Sequence, residues 1–498
     1  MRAWADRPAA AWAVAAVAFA LAATQARPYA GGWNDGSRLA SVESLADRGT
    51  FAIDDSLYAA PRAEAGTAVY APGLPAETRD KLFIDGRFYS DKPPLPSVPL
   101  AAAYRSLMAA GFPRPAERPD VFCRVVVILL CGASYAAAAG CMWSLGRRAG
   151  LAPGWRLAWL AGFALATVLP AYARQANTHI AQTAAVAGVA VLLGRVADAS
   201  ARGRVAWAAL AGVGTLLGVA YNLDFGVGPP LVPAVLAVVA VRTRSVTAVG
   251  AAAVAVLPWV AAGHGLNFAI GREWLRPLNM NPAYLAWPGS PFDTANMTGV
   301  LRPRGPFGVG VYALELLFGL RGFLTHNLPL LLAVPAAWVV LRRPGRDRAE
   351  LLALAAWAAA AWALYALLSN NCGGGCVSVR WFLPFLVPGF WVLARLLAER
   401  PQFRPDFVAL SAWGAVLAAV MWWCGPWRVR MVPAFWPVLG LALVTWAAVR
   451  WRAWRAARVA TTTPDVRVIA TRVTAAPTAT NRLPAEASPA VKQSEFVG

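Results

Sequence analysis

The chain has 498 residues, of which 58% are hydrophobic and only 14% are charged, whereas soluble domains are nearer a quarter charged. This balance excludes an ordinary soluble globular domain. The formal charge of +21 does not indicate a nucleic-acid partner, because the 46 basic residues include only three lysines, Lys81, Lys92 and Lys492. The arginines cluster between apolar runs, where basic residues orient helices against the inner leaflet.

Long apolar runs recur along the chain, and most are long enough to cross a hydrocarbon core of roughly 30 Å. We therefore predict an all-α polytopic membrane protein with about 12 transmembrane helices, in a range of roughly 11–13. The first run is interpreted as an uncleaved span rather than a signal peptide, because it is long for a signal sequence. The candidate spans are 8–26, 121–146, 155–173, 178–197, 205–222, 227–241, 246–263, 325–341, 350–369, 381–398, 407–424 and 432–450.

A further apolar segment, 95–112, is predicted to lie in the membrane interface. With this segment outside the hydrocarbon, the arginine-rich short loops all fall on one side, as the positive-inside rule requires. The predicted protein is thus a multi-pass protein of the plasma (bacterial inner) membrane with both termini in the cytoplasm. Long outer loops cover 27–120 and 264–324. Residues 1–458 form the transmembrane domain, and 459–498, rich in Thr, Ala and Pro, form a disordered cytoplasmic tail.

The first outer loop carries two local patterns. Residues 36–48 place apolar side chains at helical spacing and Gly49 suits a C-terminal cap, which predicts a short amphipathic helix on the membrane surface. The stretch KLFIDGRFYS, 81–90, alternates apolar and polar residues around Asp85-Gly86, which predicts a β-hairpin.

The same loop contains candidate site residues. Asp35 stands at the start of the helix and is either its N-cap or a general base near a lipid headgroup. Asp91-Lys92 precedes a Pro-Pro turn. A compact ammonium suits a phosphate, and the alternative is an ion pair on the surface.

Later loops add further candidates. In NNCGGGCVSVRWFLP, 370–384, Arg380 is either an interfacial anchor or a phosphate ligand. Cys372 and Cys376 face an oxidising compartment, where a small disulfide is one alternative, and the loop has too few ligands for a metal. Asp224, at the outer end of a span, is a functional carboxylate or a helix cap. His179 in ARQANTHIAQ is likewise either a functional residue or part of a helix cap.

Three stretches together resemble the membrane glycosyltransferases of the GT-C superfamily. They are NDGSRLASVESLADRG (34–49), SDKPPLPSVPL (90–100) and VRWFLPFLVPG (379–389). The likeness is to the family-39-like branch that includes protein mannosyltransferases and the lipid A aminoarabinose transferase. That branch has an acidic pair after the first span, an amphipathic helix ending near Arg-Gly, and a Lys-Pro or Pro-Pro element. Aligned back from Arg48-Gly49, the family's first acid falls on Asn34 and its second on Asp35.

The resemblance implies transfer of a hexosyl or pentosyl group from a polyprenyl-phosphate-linked donor to a glycan, lipid or protein acceptor of the cell envelope, on the outer face. It implies the membrane lipid and the lipid-linked donor as partners, no further cofactor, and leaves a divalent metal open. The implied catalytic residues are Asp35 and Asp91, and the implied substrate-binding residues are Asn34, Arg38, Lys92, Asp224 and Arg380.

Two other function classes fit a chain of this kind. One is a multi-span transporter or flippase for lipid-linked or small polar solutes. Carriers usually show related halves and charged residues inside their spans, whereas this sequence shows no repeat and its spans are nearly free of internal charge. The other is a non-catalytic membrane protein that keeps the GT-C fold.

Overall fold

The computed structural model describes residues 7–59, 69–71, 77–293, 296–297, 304–428 and 430–462. The chain divides into a first unit, Met1–Val449, and a second, Arg450–Gly498. The first unit contains the whole candidate site. The described part of the second unit is helical, and most of the predicted disordered tail, from residue 463 onward, lies outside the described residues.

The described chain is almost entirely helical. Its α-helices are α1 Pro8–Gln25, α2 Trp33–Arg48, α3 Ser97–Ala109, α4 Pro119–Val127, α5 Ala133–Arg148, α6 Pro153–Leu165, α7 Leu169–Ala173, α8 Thr178–Ser200, α9 Trp207–Leu223, α10 Gly228–Thr243, α11 Val246–Gly271, α12 Pro282–Leu285, α13 Gly305–Phe318, α14 Phe323–His326, α15 Leu330–Arg342, α16 Arg348–Leu368, α17 Leu386–Glu399, α18 Arg404–Cys424 and α19 Phe435–Thr462. A π-helical turn, Ile128–Gly132, joins α4 to α5, and 3₁₀ turns occupy Leu278–Met280, Arg380–Phe385 and Pro401–Phe403.

Seven helical segments of the described chain are long and apolar enough to cross a membrane. They are Pro119–Arg148, Thr178–Ser200, Val246–Gly271, Gly305–His326, Arg348–Leu368, Arg380–Glu399 and Pro401–Cys424. Shorter apolar helices occupy Ala9–Gln25, Trp207–Leu223, Gly228–Thr243 and Leu330–Arg342. The predicted all-α, multi-span architecture is therefore confirmed. The predicted span 155–173 is interrupted, because α6 ends at Leu165 and α7 begins at Leu169.

The β-hairpin of the first outer loop forms as predicted. Strands β1, Lys81–Ile84, and β2, Arg87–Ser90, pair antiparallel with Ile84 opposite Arg87. Asp85 and Gly86 have φ of 49° and 81°, the left-handed conformation that a tight two-residue hairpin turn requires.

Helix α2 begins at Trp33, earlier than predicted, and ends at Gly49 with φ 70° as its left-handed cap. It does not lie exposed along one face: nearly every residue from Asn34 to Ser44 is buried, because the outer loop and α3 pack over it. Helix α3 has 13 residues and is about 20 Å long. It is too short to cross a membrane, in agreement with the prediction for 95–112.

Two glycines let the start of α2 pack tightly. A Cβ on Gly31 would lie 1.8 Å from the side-chain amide of Gln175, and one on Gly36 would lie 2.1 Å from the Tyr70 hydroxyl. Both distances are far inside van der Waals contact. The backbone at 31–36 is thus held against two other parts of the chain, which fixes the residues between them.

Candidate functional site

A cavity of about 600 Å³ lies in the first unit where the start of α2, the end of the hairpin and several helix ends meet. The start of α8, the turn between α9 and α10, and the glycine-rich loop before Arg380 also contribute to its wall. Of the residues predicted for the site, the lining includes Asn34, Arg38, Asp91, Lys92, Asp224 and Arg380. The structure thus gathers six of the seven, and Asp35 is the exception.

Two cations bond to the side chain of Asn34, and a third lines the same cavity. With its amide oxygen turned toward them, Asn34 accepts hydrogen bonds from Arg380 Nη1 at 2.9 Å and Lys92 Nζ at 3.0 Å. Arg38, one turn along α2, also lines the cavity. Burial, with the nearby charge of Arg380, lowers the pKa of Arg38 to about 10. Cations grouped around a neutral amide are suited to a multi-oxygen anion such as a phosphate.

Lys92 is fixed by two carboxylates. Its Nζ lies 2.7 Å from Asp80 Oδ2 and 2.7 Å from Asp91 Oδ2. Asp91 also accepts a hydrogen bond from Ser37 Oγ at 3.0 Å. Burial raises the pKa of Asp91, and Lys92 opposes that rise. Lys92 thus forms an ion pair, as one alternative held, but its side chain is only 11% exposed and lines the cavity. Its role toward a phosphate stays a prediction.

Asp35 lies behind the cavity wall. It is the third residue of α2, whose N-cap is Gly32. Its Oδ2 accepts a hydrogen bond of 2.6 Å from the Gly31 N–H, and no hydrogen-bond partner for Oδ1 occurs in the described chain. Burial raises the pKa of Asp35 to about 7, although its backbone hydrogen bonds lower it. Its role as a base stays a prediction.

The carboxylate of Asp224 has two different surroundings. Its Oδ1 accepts hydrogen bonds from the N–H groups of Gly226 and Val227, at 2.8 and 3.1 Å, and from the Tyr365 hydroxyl at 2.7 Å. These bonds hold the turn between α9 and α10, whereas the N-cap of α10 is Val227 and has no side-chain capping bond. The interpretation of Asp224 as a side-chain cap of α10 is therefore wrong. The other oxygen, Oδ2, lies 3.8 Å from His179 Nδ1.

Arg380 is positioned by the loop that precedes it. Its guanidinium lies 5.2 Å from the centroid of the Trp427 ring, a cation–π contact. With the bond to Asn34, this contact places Arg380 in the cavity wall rather than in an interfacial anchor position. Cys372 and Cys376 are both free thiols, so the alternative of a disulfide in this loop is wrong. The loop is instead held by hydrogen bonds, including one of 3.2 Å between Cys376 Sγ and the Gly373 carbonyl.

Sequence reasoning missed several residues of the cavity. Asp80 precedes β1, Trp427 follows α18, and neither belongs to a motif. The indole of Trp381 stacks on the Tyr365 ring at 4.2 Å with an interplanar angle of 8°, and this aromatic pair is part of the cavity lining. Within the described ranges, no group of three or more His, Cys, Asp and Glu side chains could hold a metal ion.

No family model matches the chain, and no curated protein does so either. The chain is similar to two solved structures of ArnT from Cupriavidus metallidurans. The apo structure has 15% identity and a TM-score of 0.46, with 90% of this chain and 76% of that chain covered. The structure bound to undecaprenyl phosphate has 17% identity and a TM-score of 0.45, with coverages of 89% and 75%.

Proposed function

We propose that the protein is a membrane glycosyltransferase that moves a hexosyl or pentosyl group from a polyprenyl-phosphate-linked donor to a hydroxyl of a cell-envelope glycan, lipid or protein. The observation that carries this proposal is the group of Arg38, Lys92 and Arg380 around Asn34 in a cavity of about 600 Å³. Apolar helices on the same unit provide a membrane setting in which a lipid tail can lie beside this group.

The cations suit the chemistry of a departing phosphate. When the bond between the sugar's anomeric carbon and the phosphate oxygen breaks, negative charge grows on the phosphate. Lys92 is held by Asp80 and Asp91, and Arg380 by Trp427, so both cations are in place before the reaction. Such preorganised charge stabilises a transition state without reorganisation at the moment of reaction.

The aromatic part of the cavity lining suits a sugar ring. The stacked pair Tyr365–Trp381 offers an aromatic surface to the cavity, and the side chains of Asn279 and Asn371 are part of the same lining. Binding sites of this type combine apolar surface with a few polar groups that fix orientation. A neutral sugar between this wall and the cations would present its anomeric carbon beside the phosphate.

A transporter or flippase of lipid-linked solutes would also bind a phosphate headgroup, so binding alone does not separate the two functions. The difference is a chemical product. A transferase releases free polyprenyl phosphate and a new glycoside, whereas a flippase leaves the donor intact. The proposal places the reaction on the outer face of the plasma membrane, with both termini in the cytoplasm.

The test has two parts. Purified protein in lipid nanodiscs is expected to bind undecaprenyl phosphate, measured by native mass spectrometry. Mass spectrometry of cell-envelope glycans, with and without the gene, is expected to show loss of one sugar. Intact donor and unchanged envelope glycans would contradict a transferase, and binding without a product would favour the flippase.

A further inference from the structure

The proposed transfer needs a group that accepts the proton of the acceptor hydroxyl, and several cavity carboxylates are already engaged. Asp80 and Asp91 each bind Lys92 Nζ at 2.7 Å, and Asp91 also accepts a hydrogen bond from Ser37. A carboxylate held by an ammonium is a weaker proton acceptor than a free one. Asp35 is absent from the cavity lining.

His179 differs from these carboxylates. It lines the cavity and its residue is only 3% exposed, yet its Nδ1 has no hydrogen-bond partner in the part of the chain that the structure describes. It is not needed to start α8, because Asn177 caps that helix through a bond from the Ile180 N–H. A buried polar nitrogen without a partner is costly, and the group nearest to this one is the Asp224 carboxylate. With Nδ1 on the Asp224 side, Nε2 is the ring nitrogen left for a substrate in the cavity.

Asp224 stands behind His179. One of its oxygens is occupied by three donors, while Oδ2 lies 3.8 Å from His179 Nδ1. At 3.8 Å the two groups are neighbours without a hydrogen bond, and catalytic contacts can tighten when substrate binds. A carboxylate that orients an imidazole, with the imidazole next to a hydroxyl, is a general way to activate an oxygen nucleophile.

We propose that His179 is the general base of the transfer and that Asp224 is its positioning residue. The acceptor oxygen forms a bond to the anomeric carbon as the bond from that carbon to the phosphate oxygen breaks. The electron pair of the broken bond leaves with the phosphate, and the hydroxyl proton passes to the imidazole. Asp224 Oδ2 faces the imidazolium that results, and the proton later returns to solvent. This inference rests on the proposed function.

The first experiment replaces the imidazole and then supplies it from solution. The full-length His179→Ala variant is assayed with a polyprenyl-phosphate-sugar fraction from the native membrane. Turnover is expected to fall by about 10²–10⁴-fold, the usual contribution of a general base, and to recover in part when imidazole is added. Undecaprenyl phosphate binding should be unchanged, because the cation group is intact.

The control is the same histidine-to-alanine substitution at a histidine outside the cavity. His264 is outside the cavity lining and bonds to the Tyr221 hydroxyl at 2.9 Å. His264→Ala is expected to turn over at the wild-type rate with no response to imidazole.

Asp224→Asn tests the positioning role. An amide oxygen can accept the same bonds from Gly226, Val227 and Tyr365, so the turn between α9 and α10 is kept. The negative charge that faces His179 is lost. The rate constant kcat is expected to fall with KM for the donor unchanged, whereas a merely structural defect would disturb both.

The outcomes separate this inference from the proposed function. If His179→Ala keeps the wild-type rate, His179 is not the base. The same holds if the variant binds lipid normally but imidazole does not restore its turnover. In both cases the proposed transferase function is unaffected. If Asp224→Asn abolishes turnover while His179→Ala does not, the base is Asp224 and the inference is overturned. If the wild-type protein yields no product from any donor fraction, both proposals fall.

Discussion

The amide oxygen of Asn34 lies 3.0 Å from Lys92 Nζ and 2.9 Å from Arg380 Nη1. A neutral group thus holds two cations together at the position where the resembled family has an acid. Because an amide carries no charge, it orders the two cations without cancelling their attraction for an anion.

Asn34→Asp is therefore expected to fold normally and to bind phosphate less well. The new carboxylate would form ion pairs with Lys92 and Arg380 and compete with the ligand. Affinity for undecaprenyl phosphate should fall roughly tenfold or more, since a hydrogen bond to a charged group contributes about 1.5–3 kcal/mol. Titration in nanodiscs measures this affinity. The control is Asn34→Ala, which removes the amide but adds no charge. Tighter binding by the Asp variant would contradict this account.

Lys92→Ala is expected to weaken undecaprenyl phosphate binding by roughly 10–100-fold, because it removes a charged donor and frees Asp80 and Asp91 to repel the anion. Lys92→Arg should restore binding only in part, since a planar fork does not replace a point charge. Lys81→Arg is the matched control, because Lys81 is outside the cavity lining. Binding equal to wild type in Lys92→Ala would remove Lys92 from the site.

If His179 is the base, Asp35→Asn is expected to leave turnover nearly unchanged, because an amide oxygen can accept the same Gly31 N–H bond. If Asp35 is the base, as the sequence predicts, turnover collapses. Asp35→Ala loses that bond and should lower the free energy of unfolding by about 1–3 kcal/mol, with turnover per folded molecule intact. Rate assays and thermal unfolding measure the two effects. A folded Asp35→Asn protein without turnover would restore Asp35 as the base and overturn the role of His179.

The stability of the protein should decline as pH rises from about 4 to about 7. Burial raises the pKa of both Asp35 and Glu43 to about 7, from ordinary values of 3.8 and 4.5. In this window the unfolded chain loses two protons that the native state still holds, so ionisation favours unfolding. The double variant Asp35→Asn, Glu43→Gln should show a flatter pH profile of Tm in detergent. If Tm changes with pH equally in the wild type and the double variant, the raised pKa values are contradicted.

Reporter fusions after residue 200 and at the C-terminus are expected to report a cytoplasmic location, because the positive-inside rule predicts that arginine-rich loops face the cytoplasm. A cysteine introduced at Phe112, which is 43% exposed in the outer loop, should react with an impermeant maleimide from outside. A C-terminus on the outer face would contradict the predicted number of spans.

The features that sequence predicted best are local ones. Long apolar runs predict helices, Asp85-Gly86 predicts a hairpin turn, and Gly49 predicts the C-terminal cap of α2. Each of these features depends only on residues that are neighbours in the chain. The burial of α2 was not predicted, since its amphipathic pattern fits a membrane surface as well as a packed outer loop.

The gathering of Asn34, Lys92 and Arg380 could be predicted only as a resemblance, because nothing local relates residues so far apart in the chain. Asp80 and Trp427 could not be found at all. Each gains its role from a contact made by folding, the first with Lys92 and the second with Arg380, and neither sits in a recognisable pattern.

The close packing of Gly31 on Gln175 has a mechanical consequence. Gly31 is three residues before Asn34, and Gln175 is four residues before His179, so one contact braces the phosphate side of the cavity against the hydroxyl side. A side chain at position 31 would first displace the amide end of the Gln175 side chain. The contact between the two sides of the cavity would then be lost, and headgroup binding and turnover are expected to fall together.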